Sequence, residues 1–161
     1  SPFFNASNMN LSKNLSVAEF TKSNTATRKG LDNSLPKAYW LSAKALAENI
    51  FQPLRDHFGT PLYITSGFRS KALNEAIGGS NKSQHSKGEA IDIDMDGRKG
   101  PDNTEVFNYI KECLPFDQLI WEFGDDTKPS WVHVSYNPDG EQRGEILVAY
   151  KDNGRTKYKY W

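Results

Sequence analysis

Apolar residues change their period along this 161-residue chain, and that change most restricts what it can fold into. Between positions 41 and 58, Ala43, Ala47, Ile50, Leu54 and Phe58 recur at steps of three or four, the spacing of one buried helical face. Pro53 interrupts the run, so a kink or a break is expected there. Late in the chain, positions 117–123, 131–136 and 145–150 are β-prone and apolar, with alternation in Trp131–Ser135. Helices early and strands late predict an α+β domain: a mainly antiparallel sheet with helices packed on it.

Local signals fill in the rest. Ser16-Val17-Ala18-Glu19 fits a capping box, with Leu15 and Phe20 as its hydrophobic staple. Leu62-Tyr63-Ile64-Thr65 reads as a strand; Ser66-Gly67-Phe68-Arg69-Ser70 then opens a short helix through Ile77, closed by Gly78-Gly79. Positions 89–96 read as another strand, and Asp102-Asn103-Thr104-Glu105 caps a helix through Val106, Phe107 and Ile110. Residues 1–12 are polar and read as a flexible arm or linker end, leaving one folded domain over 13–161.

Lys plus Arg and Asp plus Glu both number 20, so the formal net charge is zero. Such a chain has no excess of cations for phosphate neutralisation, so nucleic acid is not an expected partner. No apolar run approaches the roughly 20 residues that span a bilayer, and no membrane insertion is expected. The first residues show no signal-peptide pattern. A single cysteine excludes an intrachain disulfide; with Ile110, Leu114 and Phe116 nearby, Cys113 is expected to be a buried, inert thiol.

Chemistry concentrates in Ser83-Gln84-His85-Ser86-Lys87-Gly88-Glu89-Ala90-Ile91-Asp92. It carries a loop His and, seven positions on, a strand Asp; Gly88 permits a backbone turn that brings the loop back over the strand. In Trp131-Val132-His133-Val134-Ser135, alternation puts His133 on one face with Trp131 and Ser135, opposite the apolar valines. Two imidazoles and one carboxylate make a three-ligand zinc set with a position left open, able to lower the pKa of water from about 15.7 to about 7. Singly, each residue has a plainer reading: a hydrogen-bonded strand His, or an Asp that caps a turn.

The run from Ser66-Gly67-Phe68-Arg69-Ser70, through Asn74 and Gly78-Gly79-Ser80, to Ser83-Gln84-His85 and Gly88-Glu89-Ala90-Ile91-Asp92 resembles the zinc D-Ala-D-Ala carboxypeptidase family. That family includes phage L-alanyl-D-glutamate endopeptidases and is related in fold to the hedgehog signalling domain. Trp131-Val132-His133-Val134-Ser135 resembles its closing ligand motif, and the similarity runs from Phe20 to Tyr136. The resemblance implies one zinc ion held by His85, Asp92 and His133, and a peptidoglycan stem peptide hydrolysed by zinc-activated water. It also places Arg69 where the family contacts the substrate's carboxylate or peptide carbonyl, a role that suits a planar guanidinium. Ser66 and Gln84 are expected to bind the substrate or support its loop.

One position departs from the pattern. Many relatives carry an acid or His three residues before the last ligand, where this chain has Ser130. Glu122, after Leu119-Ile120-Trp121, is the expected general base, because a hairpin of suitable register makes it a cross-strand neighbour of His133 on one face. Asp125 and Asp126 are the fallbacks, although they read more simply as a turn. The missing acid also supports an alternative, a non-catalytic zinc module that binds cell wall or a protein partner. A triad of Ser66, His85 and Asp92 is disfavoured because the chain has no G-x-S-x-G elbow. Asp92-Ile93-Asp94-Met95-Asp96-Gly97 begins like a calcium loop but has Asn103 where the bidentate Glu belongs. His57 reads as a helix-end residue, and positions 155–161 as a solvated or edge-strand end. The expected setting is the bacterial cell wall, reached in the periplasm, outside the cell or by phage delivery. There the chain is expected to act as a monomer, the catalytic part of a larger protein.

Overall fold

A computed structural model describes residues 6–161, and the first five residues of the expected arm lie outside them. By Asn10 the chain is already part of the fold. β1 (Asn10–Ser12) pairs with β2 (Leu15–Ser16), and Leu11 and Leu15 are wholly buried. In α1 (Val17–Thr21), Ser16 Oγ accepts the Glu19 N–H at 3.0 Å, and Phe20 is buried beside Leu15 in the core, as the cap and staple require. α2 (Asn24–Lys29) follows.

The long helical run comprises α3 (Trp40–Leu46), a π turn (Ala47–Phe51) and α4 (Gln52–Phe58). Pro53 has no N–H to give, and the interruption expected there takes the form of the π turn, in which Gln52 N–H reaches back to Ala47 O. Ala43, Ala47, Ile50 and Leu54 are wholly buried, so the helical face holds through the turn. His57 ends this run and stacks on Tyr109 at 3.8 Å.

Next come β3 (Ile64–Ser66), α5 (Lys71–Ala76), β4 (Ala90–Ile93) and α6 (Asn103–Cys113). Both arms of the α6 capping box form: Asp102 accepts from Glu105 N–H, and Glu105 from Asp102 N–H. Cys113 corrects an expectation. The buried stripe of α6 (Asn103, Val106, Phe107, Ile110) ends a turn before its last residue, so this thiol is exposed.

β5 (Gln118–Glu122), β6 (Trp131–Ser135), β7 (Glu145–Asp152) and β8 (Arg155–Tyr160) complete a six-stranded sheet of order β3-β4-β6-β5-β7-β8. Every pairing is antiparallel except β5 with β7, which makes the expected α+β architecture with one parallel joint. One face carries Ile91, Ile93, Leu119, Trp121, Val132 and Val134 into a core shared with the long helical run and α6. Register sets the opposite face. Asp92 pairs with His133, His133 with Ile120, and Ile120 with Leu147; one row on, Trp131 pairs with Glu122, Glu122 with Ala149 and Ala149 with Tyr158. All the strand residues expected to do chemistry therefore point away from the core. No helix among the described residues is long and apolar enough to cross a membrane.

Candidate metal centre

The site is assembled from four segments. Gly67, just after β3, packs so tightly on Phe20 that an added Cβ would collide with the Phe20 carbonyl oxygen. This close approach leaves the Gly67 carbonyl to meet His85 Nδ1 at 2.8 Å. A carbonyl only accepts, so Nδ1 carries the proton and Nε2 keeps its lone pair. His85 lies in a 3₁₀ turn (Gln84–Lys87) closed by Gly88 at φ +70°, the left-handed turn expected there. Its Nε2 is buried with no hydrogen-bond partner and lies 3.2 Å from Asp92 Oδ1.

His133 mirrors this arrangement. Nδ1 lies 3.0 Å from the same Asp92 oxygen, and Nε2 lies 3.0 Å from Gln84 Oε1. Gln84 Nε2 in turn donates to Ser135 Oγ at 2.9 Å. His85, Asp92 and His133 thus bring three ligand atoms within 4.8 Å of one another. Zinc bonds of roughly 2.0–2.2 Å put neighbouring ligands of a tetrahedron about 3.3–3.6 Å apart, so the 3.0 and 3.2 Å edges need to open by only a few tenths of an ångström to take such an ion. Burial alone would push the Asp92 carboxyl up, but His85 beside it and the hydrogen bonds of both imidazoles hold it well below the usual carboxylate range. This carboxylate lies between two imidazole nitrogens, a donor set that a bound cation would satisfy.

Arg69 is braced beside this centre. Its Nε donates to Ser66 Oγ at 3.1 Å, its Nη1 to Asn74 Oδ1 at 3.2 Å, and Nη2 lies 3.9 Å from Asp92 Oδ2. Ser66 is therefore engaged with Arg69, and no Ser-His-Asp triad forms. Burial lowers the guanidinium pKa, while the charges of Asp92 and Glu122 raise it.

Glu122 stands on the same face, diagonal to His133 because its direct partner is Trp131. Burial is the main force on its carboxyl, which is pushed up to about 7; His133 and Arg69 pull against the rise and Asp92 adds to it. Ser130 is exposed on the following loop, where its N–H bonds Glu122 O. Asp125 is spent on the turn, accepting from Thr127 and Lys128.

These groups line an open cleft of about 650 Å³. Sequence reasoning missed three contributions to it. Asn74, buried between Arg69 and the Ser80 carbonyl, was visible only as part of a motif. The role of Ser135 was signalled by its alternation with His133. Arg143, Leu147, Thr156 and Tyr158 line the far wall; the cations and aromatics of positions 155–161 were the one signal of it, and nothing marked Arg143 or Leu147.

A buried carboxylate with two imidazoles at the end of an open cleft defines the class of metal-dependent hydrolases. Residues 13–135 match the peptidase M15 family, and the chain belongs to it: a zinc-dependent peptidase of the D-Ala-D-Ala carboxypeptidase and endopeptidase group. No curated protein matches the chain.

Proposed function

We propose that this peptidase hydrolyses a peptide bond in peptidoglycan stem peptides, as a D-Ala-D-Ala carboxypeptidase or an L-alanyl-D-glutamate-type endopeptidase. The observation that carries the reading is the convergence of His85 Nε2, His133 Nδ1 and Asp92 Oδ1 at the floor of a cleft that also holds Glu122 and Arg69. His85, Asp92 and His133 are the ligands of one zinc ion. Zinc supplies Lewis acidity, making water nucleophilic near neutral pH and polarising the scissile carbonyl. Glu122, in its ionised form, takes the proton of the attacking water and returns it to the leaving amine. Arg69 holds a carboxylate or carbonyl oxygen of the peptide, its guanidinium aimed by Ser66 and Asn74. The domain, which includes β1 (Asn10–Ser12), acts as a monomer on the cell wall.

The non-catalytic alternative drew on Ser130, but membership of a peptidase family and a carboxyl already inside the cleft remove its main support. The test is cleavage of one defined muropeptide, followed by mass spectrometry of the products, with and without a chelator. Cleavage that stops on chelation and returns with zinc is expected. Undiminished cleavage in the metal-free protein would refute the mechanism, and intact muropeptides beside cleaved unrelated peptides would refute the substrate.

A further inference from the structure

We propose that Gln84 is a positioning residue that dictates which nitrogen of His133 meets the metal, acting through the imidazole and not on the substrate. The inference rests on the reading of His133 as a ligand. A histidine presents one lone pair when neutral, and the hydrogen bond at its other nitrogen decides which. For His85 a backbone carbonyl makes that choice. His133 has a side chain instead, because Gln84 Oε1 lies 3.0 Å from Nε2.

The amide of Gln84 has its own anchor. Its Nε2 donates to Ser135 Oγ at 2.9 Å, and that hydroxyl, on a wholly buried residue, also accepts the Gln118 N–H at 3.1 Å. With its NH₂ end taken by Ser135, Gln84 turns its oxygen to the imidazole. An oxygen there accepts the Nε2–H and leaves Nδ1 bare, facing Asp92 Oδ1 at 3.0 Å. Both polar ends of Gln84 are thereby held by protein partners. The chain runs from the β5 backbone through Ser135 and Gln84 to the ligand. It joins the 3₁₀ turn that carries His85 to the strand that carries His133.

The test compares Gln84→Leu, which keeps the bulk and removes the acceptor, with Gln84→Glu, which restores an acceptor that the Ser135 hydroxyl can also satisfy. Zinc affinity is read by competition with a chromogenic chelator, and the His133 Nε2–H by proton NMR of the zinc-loaded protein. Gln84→Leu is expected to bind zinc about 10- to 100-fold more weakly and to lose the protected Nε2–H signal, while Gln84→Glu retains both. Wild-type zinc affinity and an unchanged signal in Gln84→Leu would overturn the proposal. So would unchanged zinc affinity with a raised KM alone, which would make Gln84 a substrate contact. If Gln84→Leu does not fold, loss of the Nε2–H signal in Ser135→Ala supports the proposal and its persistence counts against it. His133→Ala is the control for the underlying reading: wild-type zinc affinity there means that His133 is no ligand, whatever Gln84 does.

Discussion

The two walls of the cleft are built on opposite principles. On the metal wall, His85, Asp92, His133, Gln84 and Arg69 are joined by hydrogen bonds and close ion pairs drawn from separate segments, and both imidazoles are buried. On the far wall, Thr156 and Tyr158 come from β8, every residue of which is exposed, and Arg143 and Leu147 precede it. The metal wall lies within the matched residues 13–135, and the far wall beyond them. Holding a cation requires ligand atoms placed to within a fraction of an ångström, so these side chains are locked by long-range partners. The far wall is under no such constraint, and it stays open to solvent.

If the metal wall carries the chemistry, removing its proton carrier has the largest effect. Glu122→Gln is expected to lower kcat by about 10²- to 10⁴-fold with zinc content unchanged; a tenfold loss or less would move the base elsewhere. The same carboxyl predicts a pH dependence in the metal-free protein. Its pKa rises from 4.5 to about 7 on folding. The stabilisation from its proton is therefore fully present below about 4.5 and lost as pH rises through about 7. Thermal melts from pH 4.5 to 8 should show wild type losing on the order of 2–3 kcal/mol more than Glu122→Gln; parallel curves would contradict the burial effect. Arg69→Lys keeps the charge but loses the planar fork held by Ser66 and Asn74, and kcat/KM on a muropeptide should fall about 10- to 100-fold.

The smallest effect belongs to the far wall. Tyr158 stands in the row of Glu122, separated by the short side chain of Ala149. Burial and the charges of Glu122 and Asp92 raise its pKa, keeping the phenol a neutral donor at working pH. Tyr158→Phe should lower kcat/KM about 2- to 10-fold without altering zinc affinity. A loss as large as that of Glu122→Gln would erase the contrast between the walls.

Part of this was legible before any coordinates. The loop histidine, Gly88 and the strand aspartate announced a bent loop over a strand, and valines on both sides of His133 showed which way it faces. The caps at Ser16 and Asp102 marked two helix starts, because capping is a contact between residues three apart. Cys113 misled because its apolar neighbours say nothing about where the buried stripe of α6 ends. The edge-strand reading of positions 155–161 holds in β8, but its place in the cleft wall escaped, because a strand of exposed residues has no hydrophobic period to show which face it presents.

Residue types and short spacings by themselves pointed to the α+β class and offered His85, Asp92 and His133 as metal-binding candidates; the family came through resemblance. Tertiary structure alone decided the diagonal register of Glu122 and His133, the parallel joint between β5 and β7, and the hydrogen bond at each outer imidazole nitrogen. These depend on partners that are distant in sequence, such as Gly67 for His85 and Gln84 for His133, separated by 18 and 49 positions. A strand's alternation is the same in either register, and only the packed sheet chooses between them.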